Sequence, residues 1–431
     1  MKSKFVKSTI ILIIGGFLTK IIGMFIRMVM ARKLGSSGMG IYMLIMPTFS
    51  LFIALAQFGF PVAISKLVSE DHYNNRNVVF SIIPFACLLN LILLFIILIS
   101  SPFISTYLLK EERCYYALLS IGFVLPFISI SSILRGYFFG KEKMIPHVIS
   151  NLTEDFVRLI LLYIGIPVFL KHGIEYAAAY IVLTNIFSEL TSIFILFFFL
   201  PKNFKITRND LIPKRKTIHD IFGISIPTTG SRIIGSVGYF LEPIILTWTL
   251  IHAGYSHDFI IQEYGILNGY VMPLLLLPSF FTMAISGALI PIVSKYHSNG
   301  NYVFAKKKIH QGLFFSLLIG IPVTIIFILM PELPLQFIYH TNEGISYMKV
   351  LAPICLFHYV QGILSSSLQA MGKARLSMKG TFYGTILKTI TLFILGMLKI
   401  GIYGLIISTG INMVFVTLYD GYNVRKELKT S

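Results

Sequence analysis

Acidic residues are scarce: 18 Asp and Glu stand against 36 Lys and Arg in 431 residues. Charge of both signs is scarce too, at 13%, where a soluble domain carries about 25%. That shortage excludes a soluble globular protein. Cysteine is almost missing. Cys87, Cys114 and Cys355 are scattered through apolar sequence, with neither a disulfide framework nor metal-ligand spacing. There is no glycine-rich phosphate loop, no zinc-ligand pattern and no nucleotide-binding domain. No cofactor, no metal and no enzymatic chemistry is expected. Work done by such a chain draws on an ion gradient, the membrane potential, or supply and removal of its substrate.

What is present is apolar sequence. Hydrophobic residues make up 55%, and runs of about 20 residues, enough for a helix to cross the hydrocarbon, recur from end to end. The runs are unbroken rather than alternating, which excludes barrel strands. The expected fold is an all-α integral membrane protein with about 12 spans, near 8–31, 40–63, 78–101, 114–138, 148–170, 176–200, 218–250, 264–293, 310–330, 347–371, 380–398 and 400–420. Lys2, Lys4 and Lys7 precede the first run as in a signal peptide. No small-residue cleavage site follows, so the first run reads as an uncleaved span.

The basic residues set the orientation. With the N-terminus inside, 23 Lys and Arg fall in inner connections and 6 in outer ones, the other 7 of the 36 lying within spans. This positive-inside bias places both termini in the cytoplasm and accounts for most of the +18 net charge. The charge is not a sign of nucleic-acid binding. The most basic connection, 201–217, reads as a linker between two halves, 1–200 and 218–431.

The halves are alike. Tyr42 matches Tyr270, Pro47 matches Pro273, Pro61 matches Pro291, Ser65-Lys66 matches Ser294-Lys295, and Pro126 matches Pro353. Lys20 matches Arg232 at a shorter offset, which puts an insertion in the second half, in an outer loop near 251–263. Each half starts inside, so the two six-span bundles are parallel repeats, and sites in such folds lie between the halves near mid-membrane.

Charges inside spans are costly, by roughly 2.5–3.5 kcal/mol on insertion scales, unless they meet a wet cavity or a partner. Lys20 and Arg27 are seven residues apart, close to two helical turns, and so share a face. With Arg232 they form a candidate cationic chamber for an anionic substrate. The alternative is that the two first-span cations snorkel to opposite surfaces. Glu154 and Arg158 are four apart and pair on one helix face as a structural ion pair. Asp155 is left over, to pair with a cation from another span or to titrate during transport; Glu189 and Glu242 are similar lone acids, any of which can balance a chamber cation or couple charge, and Arg135 snorkels from the inner end of its span. Pro227, Gly230, Gly235 and Gly238 make the seventh span the most broken and mark a hinge there; close packing through small residues is the alternative.

The run TKIIGMFIRMVMARKLGSSGMGIY, with QFGFPVAISKLVSE after it and LRGYFFGKEKMIPHVISNLTEDFVR further on, resembles the polysaccharide transporters and lipid-linked oligosaccharide flippases. These belong to the multidrug/oligosaccharidyl-lipid/polysaccharide exporter superfamily, and the likeness is greatest to the stage V sporulation protein B group. The resemblance covers essentially the whole chain. It implies twelve spans around a central cavity, and a flippase that moves a lipid-linked anionic oligosaccharide or cell-wall precursor to the outer leaflet of a bacterial plasma membrane by alternating access. In the related lipid II flippases cations on the first span and at the start of the second half line the cavity; Lys20, Arg27 and Arg232 match them by position. Lys stands at 20 where Arg is usual, a point charge in place of a bidentate fork. The longer members carry two further spans that form a lipid groove. The implied partners are the glycan lipid, the bilayer and the glycosyltransferases of the cell envelope. A drug or cation antiporter of the same superfamily needs an acidic chamber, and this first span holds cations only. A glycan polymerase or ligase needs a sizeable outer loop, and the expected outer loops are short.

Overall fold

The computed structural model describes residues 2–70, 74–201 and 215–430. Among these residues the fold is entirely helical. The chain divides into two compact units, 1–243 and 244–431.

The first unit opens with α1 (Lys2–Gln57), interrupted at Gly35. There φ is 67° and ψ is −176°, a conformation open essentially to glycine alone. Neighbours fix what the interruption does. Gly15 lies against Val148, and the Lys33 ammonium sits 4.6 Å from the centre of the Tyr163 ring. The segment before Gly35 therefore runs in the same direction as α6 (Met144–Leu170). After it, the Ile41 carbonyl meets Cys114 and the Ala56 carbonyl accepts from Ser129 at 3.1 Å, so this segment follows α5 (Tyr115–Gly140). α5 and α6 run in opposite senses. α7 (Ile174–Phe198) meets α5 at Tyr116–Tyr176 and Arg135–Ser192, but meets α6 in reverse order at Leu161–Tyr180 and Arg158–Ser188. Gly35 thus reverses the chain. The outer connection expected over 32–39 is this one residue within otherwise helical backbone.

α2 (Phe60–Ser69), α3 (Asn75–Phe80) and α4 (Ile83–Phe103) complete the first unit with the start of α8 (Arg215–His252). Phe222 on α8 sits in an aromatic cluster with Phe58, Phe60 and Phe85. Ile221 is wholly buried beside them. These contacts tie the start of α8 to the first unit, which runs to residue 243. The expected linker 201–217 lies largely outside the described residues, and Arg215, Lys216 and Thr217, assigned to it from sequence, are helical.

In the second unit α9 (His257–Gly265), α10 (Met272–Leu275) and α11 (Ser279–Ser298) lead to α12 (Tyr302–Leu329). α13 (Glu332–Tyr339), α14 (Ile345–Ala370), α15 (Ala374–Gly396) and α16 (Tyr403–Thr430) follow. The insertion expected as a loop over 251–263 is mostly helix: α8 ends at His252, and Ser256 caps α9 through a bond from the Phe259 N–H at 3.3 Å.

Nine of the described helical stretches are long and apolar enough to cross a membrane. One of them, Ile14–Ser69, holds both runs separated by Gly35. α6 and α15 are missing from the nine because charged and hydroxyl side chains dilute them: Glu154, Asp155 and Arg158 in one, Lys379, Lys388 and a run of threonines in the other. Counted with them, the spans number twelve. The units repeat one packing scheme. In the first, α5 packs on α7, α4 and α2, and α6 on α7; in the second, α14 packs on α16, α12 and α11, and α15 on α16.

Candidate functional site

Three helices of the first unit bring their charges to one place. Arg135 projects from α5, Glu154, Asp155 and Arg158 from α6, and Glu189 from α7. Glu154 stands between the two guanidinium groups. It accepts from Arg158 at 2.5 Å, one helical turn away on the same face, and from Arg135 across the helix interface. Arg135 also donates to Ser192 Oγ at 2.8 Å and lies 3.5 Å from Glu189. Arg158 reaches Asp155 at 3.4 Å and Ser188 Oγ at 3.3 Å. Glu154 and Glu189 are buried, at 7% and 5% exposed. A carboxylate at that depth is tolerable only with partners that supply both charge and hydrogen bonds.

Several expectations change. Glu154 and Arg158 do pair, as their spacing requires, but within a five-residue network. Glu189 faces a guanidinium from another span, Arg135, and Asp155 faces Arg158 on its own helix rather than a cation from another span. Arg135 does not snorkel, because α6 and α7 present acids to it inside the bundle. The signal in the sequence was an Arg and a Glu in otherwise apolar spans, but their partners are 19 and 54 positions away, beyond any helical spacing. Three carboxylates face two guanidinium groups here, so with every group ionised the cluster holds one excess negative charge.

The cations of the expected chamber are placed differently. Lys20, Arg27 and Arg232 are all exposed, and among the described residues none makes an ion pair. Arg27 is within electrostatic reach of two hydroxyls, Tyr42 on the second half of α1 and Tyr239 on α8. Tyr42 is also within reach of Arg158, and Tyr239 of the buried Glu242. Tyr239 is seven residues past Arg232 and so shares its helix face. Lys20 shares a face with Arg27 by the same spacing. Arg27 on α1 is thus within electrostatic reach of Tyr239, which shares a helix face with Arg232 on α8. Nothing in the sequence marked Tyr42 or Tyr239 for this place, although Tyr42 stood out as a repeat-matched position. α8 passes through Pro227, Gly230, Gly235 and Gly238 as one helix, and β-carbons added at Gly230 or Gly235 would touch no neighbour within 4 Å.

Comparison with known proteins bears on this arrangement. The family model described as polysaccharide biosynthesis protein matches residues 5–297, and the model described as MatE matches 268–394. Stage V sporulation protein B of Bacillus subtilis is 38% identical over 100% of this chain and 85% of its own length. The lipid II flippase MurJ of the same organism is 23% identical over 90% of this chain and 77% of its own. Among solved structures, an inward-facing multidrug resistance MATE family transporter of the MOP superfamily superposes with a TM-score of 0.74 at 18% identity, covering 96% of both chains.

Proposed function

The chain belongs to the polysaccharide biosynthesis protein family, and from that premise we propose that it is a flippase for a lipid-linked, anionic glycan or cell-wall precursor. The substrate passes from the inner to the outer leaflet of the bacterial plasma membrane by alternating access, and serves spore envelope synthesis. The observation that carries this reading is the set of exposed cations Lys20, Arg27 and Arg232, none of which makes an ion pair among the described residues, with Arg27 in electrostatic reach of Tyr239 on the helix that bears Arg232. An exposed cation within an apolar span needs an anion or water, and a phosphate or acidic sugar answers that need. A cationic drug does not.

In this reading Lys20, Arg27 and Arg232 bind the anionic head of the substrate. Asp155, Glu189 and Glu242 balance charge when it leaves, the excess carboxylate of the buried cluster taking up the coupling ion. Pro227, Gly230, Gly235 and Gly238 let α8 bend as the two six-span halves, 1–200 and 218–431, change their opening. Both termini lie in the cytoplasm, and the linker 201–217 joins the halves there. Glycosyltransferases of the envelope supply and consume the substrate.

The test follows lipid-linked precursors by leaflet in a deletion strain. Loss of the protein leaves precursor on the inner leaflet, the wild-type gene clears it, and a Lys20→Ala, Arg27→Ala, Arg232→Ala triple variant present at normal membrane levels does not. Full complementation by the triple variant overturns the cationic chamber.

A further inference from the structure

A basic cavity lies in the second unit, lined by residues that play no part in the site described above. It has a volume of about 460 Å³ and opens between α12 and α16 over α14. Lys306, His310 and Arg425 stand at its rim; Ile309, Leu313, Leu364, Val424 and Leu428 form its walls. Its lining contains no acid. The carboxylates nearby in sequence are engaged elsewhere: Asp420 accepts from Ser365, and Glu427 pairs with Lys373 at 3.1 Å. Among the described residues Lys306 and Arg425 make no ion pair and are exposed. His310 is held in place, its Nδ1 donating to the Lys306 carbonyl at 2.8 Å.

Depth is the second consideration. Lys306 is in the second turn of α12 and Arg425 near the end of α16. The cations therefore lie where two spans leave the apolar layer, and the leucines and isoleucine lie just inside it. Basic cavities between spans at that level are suited to phosphate headgroups. A free anion makes no use of the apolar walls; a lipid uses both parts.

We propose that this cavity holds an anionic bilayer phospholipid, its phosphate between Lys306 and Arg425 and an acyl chain on Ile309, Leu313 and Leu364. The site is separate from the substrate chamber and makes the second unit sensitive to the acidic lipid content of the membrane.

The experiment uses the purified full chain, exchanged into detergent with phosphatidylglycerol or phosphatidylcholine, and counts retained lipid by native mass spectrometry. Wild type retains phosphatidylglycerol in preference to phosphatidylcholine. The K306Q/R425Q double variant loses that preference by about tenfold or more, as the removal of two headgroup-level cations predicts. Leu313→Trp, which fills the cavity and keeps its charge, loses retention as well. Both variants are checked for native secondary structure and a monodisperse elution profile. Equal retention by wild type and the double variant overturns the proposal. Competition by inorganic phosphate as effective as that by lipid assigns the cavity to a soluble anion and overturns it too. Complete displacement of phosphatidylglycerol by an equimolar polyprenyl phosphate gives the cavity to the substrate's carrier, which is also contrary to the proposal.

Discussion

A β-carbon on Gly136 would lie 2.7 Å from the carbonyl oxygen of Pro61. One turn further along α5, a β-carbon on Gly140 would lie 2.6 Å from the Ser65 carbonyl. The backbones of α2 and α5 therefore touch, with small residues four apart as the contact surface. Each change, Gly136→Ala or Gly140→Ala, should destabilise the first unit by roughly 1–3 kcal/mol, since backbone has no rotamer by which to yield. Thermal unfolding in detergent measures it. Gly16→Ala is the control, because nothing lies within 4 Å of the position its β-carbon would take.

The ion cluster predicts a different kind of failure. Arg135→Met leaves Glu154 and Glu189 short of a cation at low exposure, a loss of about 3–5 kcal/mol for a buried pair broken on one side. Adding Glu154→Gln removes part of that unmet charge. The double variant should be more stable than the sum of the single effects implies, by about 1 kcal/mol or more. Strict additivity would mean that the two side chains do not act together.

Hydropathy made the spans legible, and repeat-matched residues made the six-plus-six organisation legible, because both are properties of the local chain. The Glu154–Arg158 pair was legible for the same reason: four residues is one helical turn. Arg135 and Glu189 were not. Whether an arginine near a span end reaches water or a carboxylate depends on which helices pack beside it, and no spacing rule encodes that. The helical character of 257–263 was hidden by its mixed composition, HDFIIQE, which reads as loop until its isoleucines are seen buried in the unit. The seven-residue spacing of Lys20 and Arg27 on the first span could be read in advance; the tyrosines within electrostatic reach of Arg27 could not.

Asp155→Asn separates balance from stability. It leaves two carboxylates facing two guanidinium groups, so the unfolding temperature should hold within a few degrees of wild type. Transport should fall if the excess charge takes up the coupling ion. Flux into proteoliposomes with and without an imposed ion gradient checks this, and a wild-type response to the gradient would remove Asp155 from the coupling role.

At Arg27 the sign of the charge matters more than its absence. Arg27→Gln removes an attraction for an anionic head; Arg27→Glu adds a repulsion. Substrate affinity should fall in the order wild type, Gln, Glu, and the step from Gln to Glu should shrink as salt is raised, because exposed charges are screened. Direct binding titrations at two ionic strengths measure it. Equal affinity for the Gln and Glu variants would place Arg27 away from the substrate.

Orientation is checked with single cysteines in a background lacking Cys87, Cys114 and Cys355. Labels at Ser256 and Glu343 should react with an impermeant maleimide on intact cells. A label at Asn301 should react only after permeabilisation. External labelling at Asn301 would contradict the inside placement of the termini.

Gly35 bears on how the protein is made. Because the chain reverses at one residue, the first two spans should insert as a hairpin with no linker to thread. Lys20 and Arg27 would then enter the bilayer beside the segment that carries Tyr42 rather than on a lone helix. The same economy removes the tolerance that outer connections usually offer. An epitope tag or a protease site placed between residues 33 and 38 would have to split a hairpin, so it should block assembly, where the same insert after His252 would be accepted.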